Sequence, residues 1–281
     1  MTSVGQTLRT AARRVPDADA RLLLAHTLGV PATRLLTLGE LDADALARFE
    51  ELLARRETGV PVQYLTGTAP FRHVEVAVGP GVFIPRPETE VMTGWALERL
   101  AEAGESPLVV ELCAGSGAIS LAIADEFPAA RQYAVELSPD AVGYAARNLA
   151  GTGVGLLQAD MADAFRDLDG TVDLVIANPP YVPLEAYDGI PAEVRDHEPE
   201  LALFSGADGL DAIRVLAGVA ARLLRPGGWV CAEHAEVQHV SAPGVFVAHG
   251  GFDQVRDRAD LNGRPRFVTA RRAAAMAGWP S

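Results

Sequence analysis

The sequence predicts an α/β fold: an open, largely parallel sheet flanked by helices, preceded by a small helical domain and a hairpin connector. Three observations predict it. From Leu108 onward, short apolar runs alternate with helical stretches, the pattern of strands joined by helical crossovers. The first run feeds a glycine turn, Cys113-Ala114-Gly115-Ser116-Gly117, that opens into a helix. The fourth, 172–177, ends at Asn178-Pro179-Pro180-Tyr181, where proline supplies no ladder N–H and the strand must stop.

Taken in order, residues 1–58 read as a helical unit. Asp17 can cap a helix with the stripe Ala20, Leu23, Leu24 and Leu28, closed by Gly29 and Pro31. Asp42 opens a second, with Leu46, Phe49, Leu52 and Leu53 on one face and Gly59 at its end. Residues 59–85 read as a hairpin or extended linker, from the alternation at Val74, Val76 and Val78 before Gly79-Pro80-Gly81. The α/β domain then takes 86–281. Thr89 or the acids beside it start a helix that continues through Trp95 and Leu100. Strand–helix pairs follow from Leu108 and Gln132, then a strand and loop from Gly155, and the strand 172–177. A helix over 210–224 ends at Arg225-Pro226-Gly227-Gly228, and a fifth strand runs from Trp229 to Ala235. Residues 245–252 and 266–271 read as closing strands, and 273–281 as a frayed end.

At 281 residues and 49% hydrophobic, the chain has ample material for a core. No apolar run approaches the roughly 20 residues that span a bilayer. The N-terminus lacks the basic start and apolar core of a secretory signal. Two distant cysteines fit free thiols in a reducing compartment, so the expected location is cytoplasmic, and the six histidines show no metal-ligand spacing. The net charge of −13 is uneven: residues 1–85 hold nine Arg against nine acids, and the remainder fifteen Arg against twenty-eight. Such a surface repels a phosphate backbone, which argues against direct DNA binding.

The residues that carry chemistry lie at the strand ends, where open α/β sheets bind ligands. Gly115 and Gly117 allow a tight turn and close approach, but the third glycine of the dinucleotide fingerprint is missing. Glu136 ends the second strand, about 20 residues on, where an acid accepts from both ribose hydroxyls. Asp160 follows the third strand, placed to accept from an adenine amino group, with Met161 as an apolar wall. Glu111 precedes the glycine turn, where a carboxylate repels a pyrophosphate and attracts a sulfonium amino acid. Singly, Glu136 or Asp160 reads as a helix cap or loop acid. Together with the glycines, the three acids favour S-adenosylmethionine over NAD. Asn178-Pro179-Pro180-Tyr181, alone, is either a surface turn or a rigid frame for one small planar group.

With these residues in view, the chain resembles a class I S-adenosylmethionine-dependent methyltransferase with a Rossmann-like sheet, and more narrowly the release-factor glutamine methyltransferase family. The resemblance rests on GVPVQYLTG at 59–67, GVFIPRPETE at 81–90, ELCAGSGAISLAIA at 111–124, ANPPYVP at 177–183, EVRDHEPELALFSGADGL at 193–210 and DLNGRPRFVTAR at 260–271. NPPY is shared with many amino-group methyltransferases; the IPRPETE and EVRDHEPELAL segments are far more specific. Cys113 stands where the family usually has glycine, Met161 where an aromatic or leucine is usual, and EHAEVQ at 233–238 replaces EIGxxQ.

The resemblance implies a helical substrate-recognition domain and methylation of the side-chain amide of the glutamine in the Gly-Gly-Gln motif of class I release factors. The Asn178 Oδ1 and the Pro179 carbonyl are then expected to accept the two amide hydrogens, with Pro180 and Tyr181 as apolar walls. The cofactor set is Glu111, Cys113, Ala114, Gly115, Ser116, Gly117, Glu136, Asp160, Met161 and Asn178. Arg86, Glu88 and Glu90 either shape the pocket or form ion pairs, and Glu193, Arg195 and Glu198 belong to a substrate-side loop or to surface pairing. The alternatives are an N-methyltransferase of nucleic-acid amino groups and a non-catalytic S-adenosylmethionine-binding scaffold.

Overall fold

The computed structural model describes residues 2–274, and the chain divides into two compact units. One takes the chain through Thr68, together with Val78–Pro80 and Pro191–His197; the other takes Ala69–Ala77, Gly81–Ile190 and the chain from Glu198. The stretch 59–85 is thus shared between them.

In the first unit a short strand β1 (Thr2–Ser3) leads into α1 (Val4–Ala11), whose Ser3 cap accepts from the Gln6 N–H at 3.2 Å. The signal for α1 was present as Ser3-x-x-Gln6, a capping-box pattern. Helix α2 (Asp17–Leu28) begins one residue after Pro16, which is its N-cap. Asp17 is therefore not the cap: it is the first helical residue, and its carboxylate pairs with Arg21 at 2.6 Å. Strand β2 (Glu40–Leu41) pairs antiparallel with β1. Asp42 does cap α3 (Ala43–Glu57), accepting from the Ala45 N–H at 2.6 Å. A short α4 (Val62–Thr66) occupies part of the stretch expected to be extended, with Val62 and Leu65 buried in the same core. Leu23, Leu24, Leu35, Phe49 and Leu53, all fully buried, form the centre of that core.

The hairpin β3 (Thr68–Phe71) and β4 (Val74–Ala77) follows. Helix α5 (Pro87–Ala103) starts after Arg86 with Pro87 preset in its first turn. Thr89 is thus inside the helix and caps nothing; its hydroxyl has another partner, described below. The sheet is then laid down as β5 (Leu108–Leu112), α6 (Ala118–Glu126), β6 (Arg131–Glu136), α7 (Pro139–Asn148, capped by Ser138), β7 (Gly155–Gln158) and β8 (Val172–Ala177). After β8 come two short helices, α8 (Ala192–His197) and α9 (Glu200–Leu203), then α10 (Asp211–Leu223), β9 (Leu224–Glu233), α11 (Ser241–His249), β10 (Phe252–Ala259) and β11 (Pro265–Arg272).

The seven strands order as β10-β11-β9-β8-β5-β6-β7. Five pair in parallel, while β11 runs antiparallel to both β9 and β10, so the sheet is mixed at one edge. Strand order reverses at β5, between β6 and β8, and the carboxyl ends there form the crevice in which such sheets bind ligands.

Two boundaries differ from the sequence reading. The Arg225-Pro226-Gly227-Gly228 stretch lies inside β9: pairing passes from Val172↔Leu224 to Leu174↔Trp229, and the irregularity absorbs the extra residues. A Cβ on Gly228 would lie 3.0 Å from the Val172 and Asp173 carbonyls, so backbone fills that space. Residues 245–249 are helical rather than extended. Ala242 and Phe246, one turn apart, are buried while Val247 is 64% exposed, and Gly250 at φ +73° closes the helix before β10. A short apolar run fits either period, and Gly250 decides this one. Of the expected frayed end, Ala273 donates its N–H to the Gly251 carbonyl at 3.1 Å, and residues 275–281 lie outside the described residues.

Asp42→Ala is expected to cost about 1 kcal/mol through the lost cap, and Phe49→Ala about 3–5 kcal/mol through the cavity it leaves. Urea titration, with amide exchange followed in α2 and α3, would report both losses; equal effects of the two would contradict this ordering.

Candidate active site

Parallel register builds the site. Leu112 pairs with Val135 on one side and Ala177 on the other, and Ala177 pairs with Ala232. Cys113, Glu136, Asn178 and Glu233 therefore leave four adjacent strands at the same level.

The glycine turn is held open by its neighbours. Cys113, Gly115 and Gly117 all take left-handed backbone, at φ +58°, +55° and +76°. A Cβ at Gly117 would press on Leu149 at 3.2 Å, and with the left-handed backbone this favours glycine there. Cys113 adopts a conformation that suits glycine, at a cost of roughly 1–2 kcal/mol for a residue with a Cβ. Its Sγ lies 3.7 Å from the Met161 Sδ, so the two departures from the family pattern touch each other. Asn148, which the sequence reading did not single out, donates to the Ser116 carbonyl at 2.8 Å and the Ala77 carbonyl at 3.0 Å. Ala114 and Ser116 are buried within this turn.

Glu136 binds the turn directly. One carboxylate oxygen accepts from the Gly115 N–H and the other from the Ser138 N–H, each at 2.7 Å. An ionised carboxylate offers about four acceptor sites, so capacity remains for two hydroxyl donors. Asp160 is exposed two residues past β7, with Oδ1 accepting from the Ala162 N–H at 2.9 Å. Glu111 is 2% exposed and accepts from both the Ser120 N–H, at 2.9 Å, and the Ser120 hydroxyl. Burial, with Glu136 nearby, pushes its pKa up to about 8. The remaining acceptor capacity of Glu136 fits the hydroxyl pair of a ribose, and the turn lacks the third glycine of a dinucleotide site.

At the end of β8, the Asn178 Nδ2 donates to the Thr89 hydroxyl oxygen at 3.2 Å, while Oδ1 accepts no hydrogen bond from the described residues, nor does the Pro179 carbonyl. Thr89 donates its own proton to Glu233 Oε2 at 2.6 Å, and the Tyr181 hydroxyl donates to Glu233 Oε1 at 3.0 Å. Gln238 donates from Nε2 to the Tyr181 carbonyl at 2.9 Å and the Asp208 carbonyl at 3.1 Å. A Cβ on Gly209 would lie 2.2 Å from that Tyr181 carbonyl, so glycine is required opposite it. Tyr181 is thereby held at both ends. The sequence reading missed Glu233, Gln238 and the role of Thr89. The available signal was Glu233 as a further acid at a strand end.

The two specific segments flanking the site meet in space. The Arg86 guanidinium pairs with Glu198, whose other oxygen accepts from the Ile84 N–H at 3.3 Å, and it stacks over Phe83 at 4.8 Å. Glu88 faces Arg266 at 3.8 Å, and the Glu90 carbonyl accepts from Arg72 at 3.0 Å. In the first unit, Arg56 bridges Asp19 at 2.7 Å and Glu193 at 2.8 Å; Arg195 pairs with Asp196 at 2.9 Å. No group of three or more His, Cys, Asp or Glu among the described residues could hold a metal ion, and no helix among them is long and apolar enough to cross a membrane.

Residues 2–67 match the family model described as PrmC N-terminal domain, and 73–189 match the methyltransferase small domain. A release factor glutamine methyltransferase of Streptomyces coelicolor is 51% identical, over 95% of each chain. The chain belongs to the release factor glutamine methyltransferase family. A 4-amino-L-phenylalanine/4-methylamino-L-phenylalanine methyltransferase of Streptomyces pristinaespiralis is 42% identical over 87% of this chain and 84% of its own. A methyltransferase structure from Pyrococcus furiosus shares the fold, with a TM-score of 0.50 and 16% identity over 71% of this chain and 89% of that one. The Rossmann-like architecture of this family accounts for the parallel strands and the switch point.

Both thiols are pushed well above the usual cysteine range, chiefly by burial; at Cys113 the charges of Glu136, Glu111 and Asp160 add to it. The folded protein is therefore expected to resist iodoacetamide at pH 8, while the urea-unfolded chain takes up two equivalents, one at each of its two cysteines. Intact-mass measurement checks this, and rapid labelling of folded Cys113 would contradict it.

Proposed function

We propose that this protein transfers a methyl group from S-adenosylmethionine to the side-chain amide nitrogen (N5) of the glutamine in the Gly-Gly-Gln motif of class I peptide chain release factors, modulating translation termination. The observation that carries this reading is the pair of unengaged acceptors, Asn178 Oδ1 and the Pro179 carbonyl, at the end of the strand next to the one that feeds the glycine turn, with Glu136 one strand further. Two acceptors on consecutive residues match in number the two N–H groups of a primary amide. Family membership at 51% identity supports the choice of glutamine as that amide.

The donor supplies an electrophilic methyl group on a sulfonium. Glu136 holds the ribose hydroxyls, Asp160 and Met161 bound the adenine, and Cys113–Gly117 form the floor. An amide nitrogen is a poor nucleophile because its lone pair is delocalised into the carbonyl. Accepting both N–H hydrogens fixes the nitrogen in line with the methyl group and raises its electron density, so orientation and preorganisation supply most of the rate. The C–S bond breaks as the N–C bond forms, and the nitrogen then sheds one proton; no strong base is needed before attack. Asn178 offers the acceptor without the extra charge that an aspartate would add. Pro179, Pro180 and the Tyr181 ring exclude water. The helical domain of residues 1–58, joined through 59–85 to the methyltransferase domain of 86–281, serves substrate recognition. Its near-neutral charge beside an acidic remainder suits a protein substrate better than nucleic acid, and the free thiols suit the cytoplasm.

Incubation with labelled S-adenosylmethionine and purified release factor, followed by mass mapping, should place one methyl group on the Gly-Gly-Gln glutamine. Label on DNA or ribosomal RNA, or on 4-amino-L-phenylalanine in preference to the release factor, would overturn the assignment. Asn178→Ala should lower turnover by about a hundredfold or more while donor affinity holds. Glu136→Ala should weaken donor binding by more than about tenfold, since each lost hydrogen bond to a charged group is worth about 1.5–3 kcal/mol. Calorimetry with the donor alone separates these two effects.

A further inference from the structure

The polarity of Asn178 is set by groups that never touch the substrate. We infer that Thr89 and Glu233 are positioning residues for methyl transfer: the Glu233 carboxylate orders the Thr89 hydroxyl, and through it presents the Asn178 Oδ1, rather than the NH₂, to the acceptor nitrogen. This rests on the function proposed above and explains what enforces its central contact.

The chain of donors runs one way. A side-chain amide can point either its oxygen or its nitrogen at a ligand, and the two ends differ only in hydrogen-bonding sense. Thr89 has one proton. A carboxylate that can only accept takes it, at 2.6 Å, so the Thr89 oxygen is left as an acceptor toward Asn178. The Asn178 NH₂ fills that role at 3.2 Å, and its Oδ1 must then face away from Thr89. The second Glu233 oxygen is occupied by the Tyr181 hydroxyl at 3.0 Å, so one buried acid orders both side chains of the NPPY motif. Gln238 holds the Tyr181 backbone independently, through its carbonyl. Register makes this possible: Ala177 and Ala232 are paired, so Asn178 and Glu233 follow them on adjacent strands.

The relay reverses when Glu233 gains a proton. A neutral carboxyl can donate to Thr89, which can then donate to Asn178, and the amide turns its NH₂ outward, where it repels the hydrogens of the substrate amide. Glu233 is 2% exposed, and burial pushes its pKa up to about 7. The Thr89 and Tyr181 hydrogen bonds and the Arg266 charge, from β11, act to lower it, and Glu88, from α5, acts to raise it. Arg86 and Arg266 face the Tyr181 side of the same cluster, and Arg266 is itself shared with Glu88 and Asp260. As pH rises through about 7, the ionised form takes over and the productive orientation with it.

The experiment compares wild type, Thr89→Ser, Thr89→Val and Glu233→Gln in release-factor methylation from pH 6 to 9. Donor affinity and melting temperature confirm that each is folded. Thr89→Ser keeps the relay and should retain kcat. Thr89→Val should lose about a hundredfold in kcat, the scale expected for a misplaced reacting group, with donor affinity unchanged. Wild-type kcat should rise with pH through a midpoint near 7, and Glu233→Gln should lose that limb. Wild-type kcat in Thr89→Val, or an unchanged pH limb in Glu233→Gln, would overturn the inference. If wild type does not methylate the release factor, the substrate assignment falls. The relay is then judged by NMR of the Asn178 side-chain amide: a pH-dependent shift in wild type that is lost in Glu233→Gln supports it, and its absence refutes it.

Discussion

The alignment of four parallel strand ends is the constraint on which the site depends. Each ladder has evenly spaced bonds and one permitted register, and a slip of a single residue would turn every side chain to the opposite face of the sheet. Leu112 against Val135, Leu112 against Ala177, and Ala177 against Ala232 fix the level at which the chain leaves the sheet. The residues that follow are the glycine turn, an acid at the turn, an amide with its prolines, and a second acid behind them. None could be exchanged by moving a loop; each is tied to a strand whose apolar residues fill the core. Val110, Val135, Val175 and Val230, all buried, hold the register through packing.

Most of this was legible in the sequence because strand ends announce themselves chemically. Glu136 and Asn178 follow short apolar runs, and the glycines and prolines mark where those runs stop. The pairing of Glu233 with Thr89, 144 residues apart in sequence, was not legible, for a physical reason. Glu233 is the last residue of an apolar strand, and its partners Thr89 and Tyr181 come from segments far away in the chain; Thr89 sits after Pro87 and among acids, where a helix start is the ordinary reading. Only the sheet order brings α5 and β9 together around β8. The antiparallel edge was similarly hidden: the run 245–252 is too short for its period to be told, and its helical state is decided by Gly250 and by which of Ala242, Phe246 and Val247 are buried.

Two buried carboxylates in one enzyme site are an unusual load, and they are met differently. Glu111 is satisfied locally, by Ser120 at the start of α6. Glu233 is satisfied by Thr89 and by Tyr181, and Thr89 in turn accepts from Asn178. Desolvation raises both above the ordinary carboxylate range, but only the second is linked through a hydroxyl to the Asn178 amide. Cys113 and Met161 show a third kind of accommodation. A side chain takes up backbone that suits glycine, and its thiol rests against a neighbouring thioether.

The excursion of residues 191–197 has a consequence for the history of the chain. The backbone passes between the two compact units five times, and α8, inserted after the NPPY strand, supplies the Glu193 partner of Arg56 in the N-terminal unit. A unit added by simple end-to-end fusion would need only one junction. Here the junctions are interleaved, so shuffling this N-terminal unit onto another methyltransferase would strand Arg56 without part of its ion pairing. The two halves are therefore expected to be inherited together, and new substrates to be reached by substitution within the pair rather than by exchange of parts.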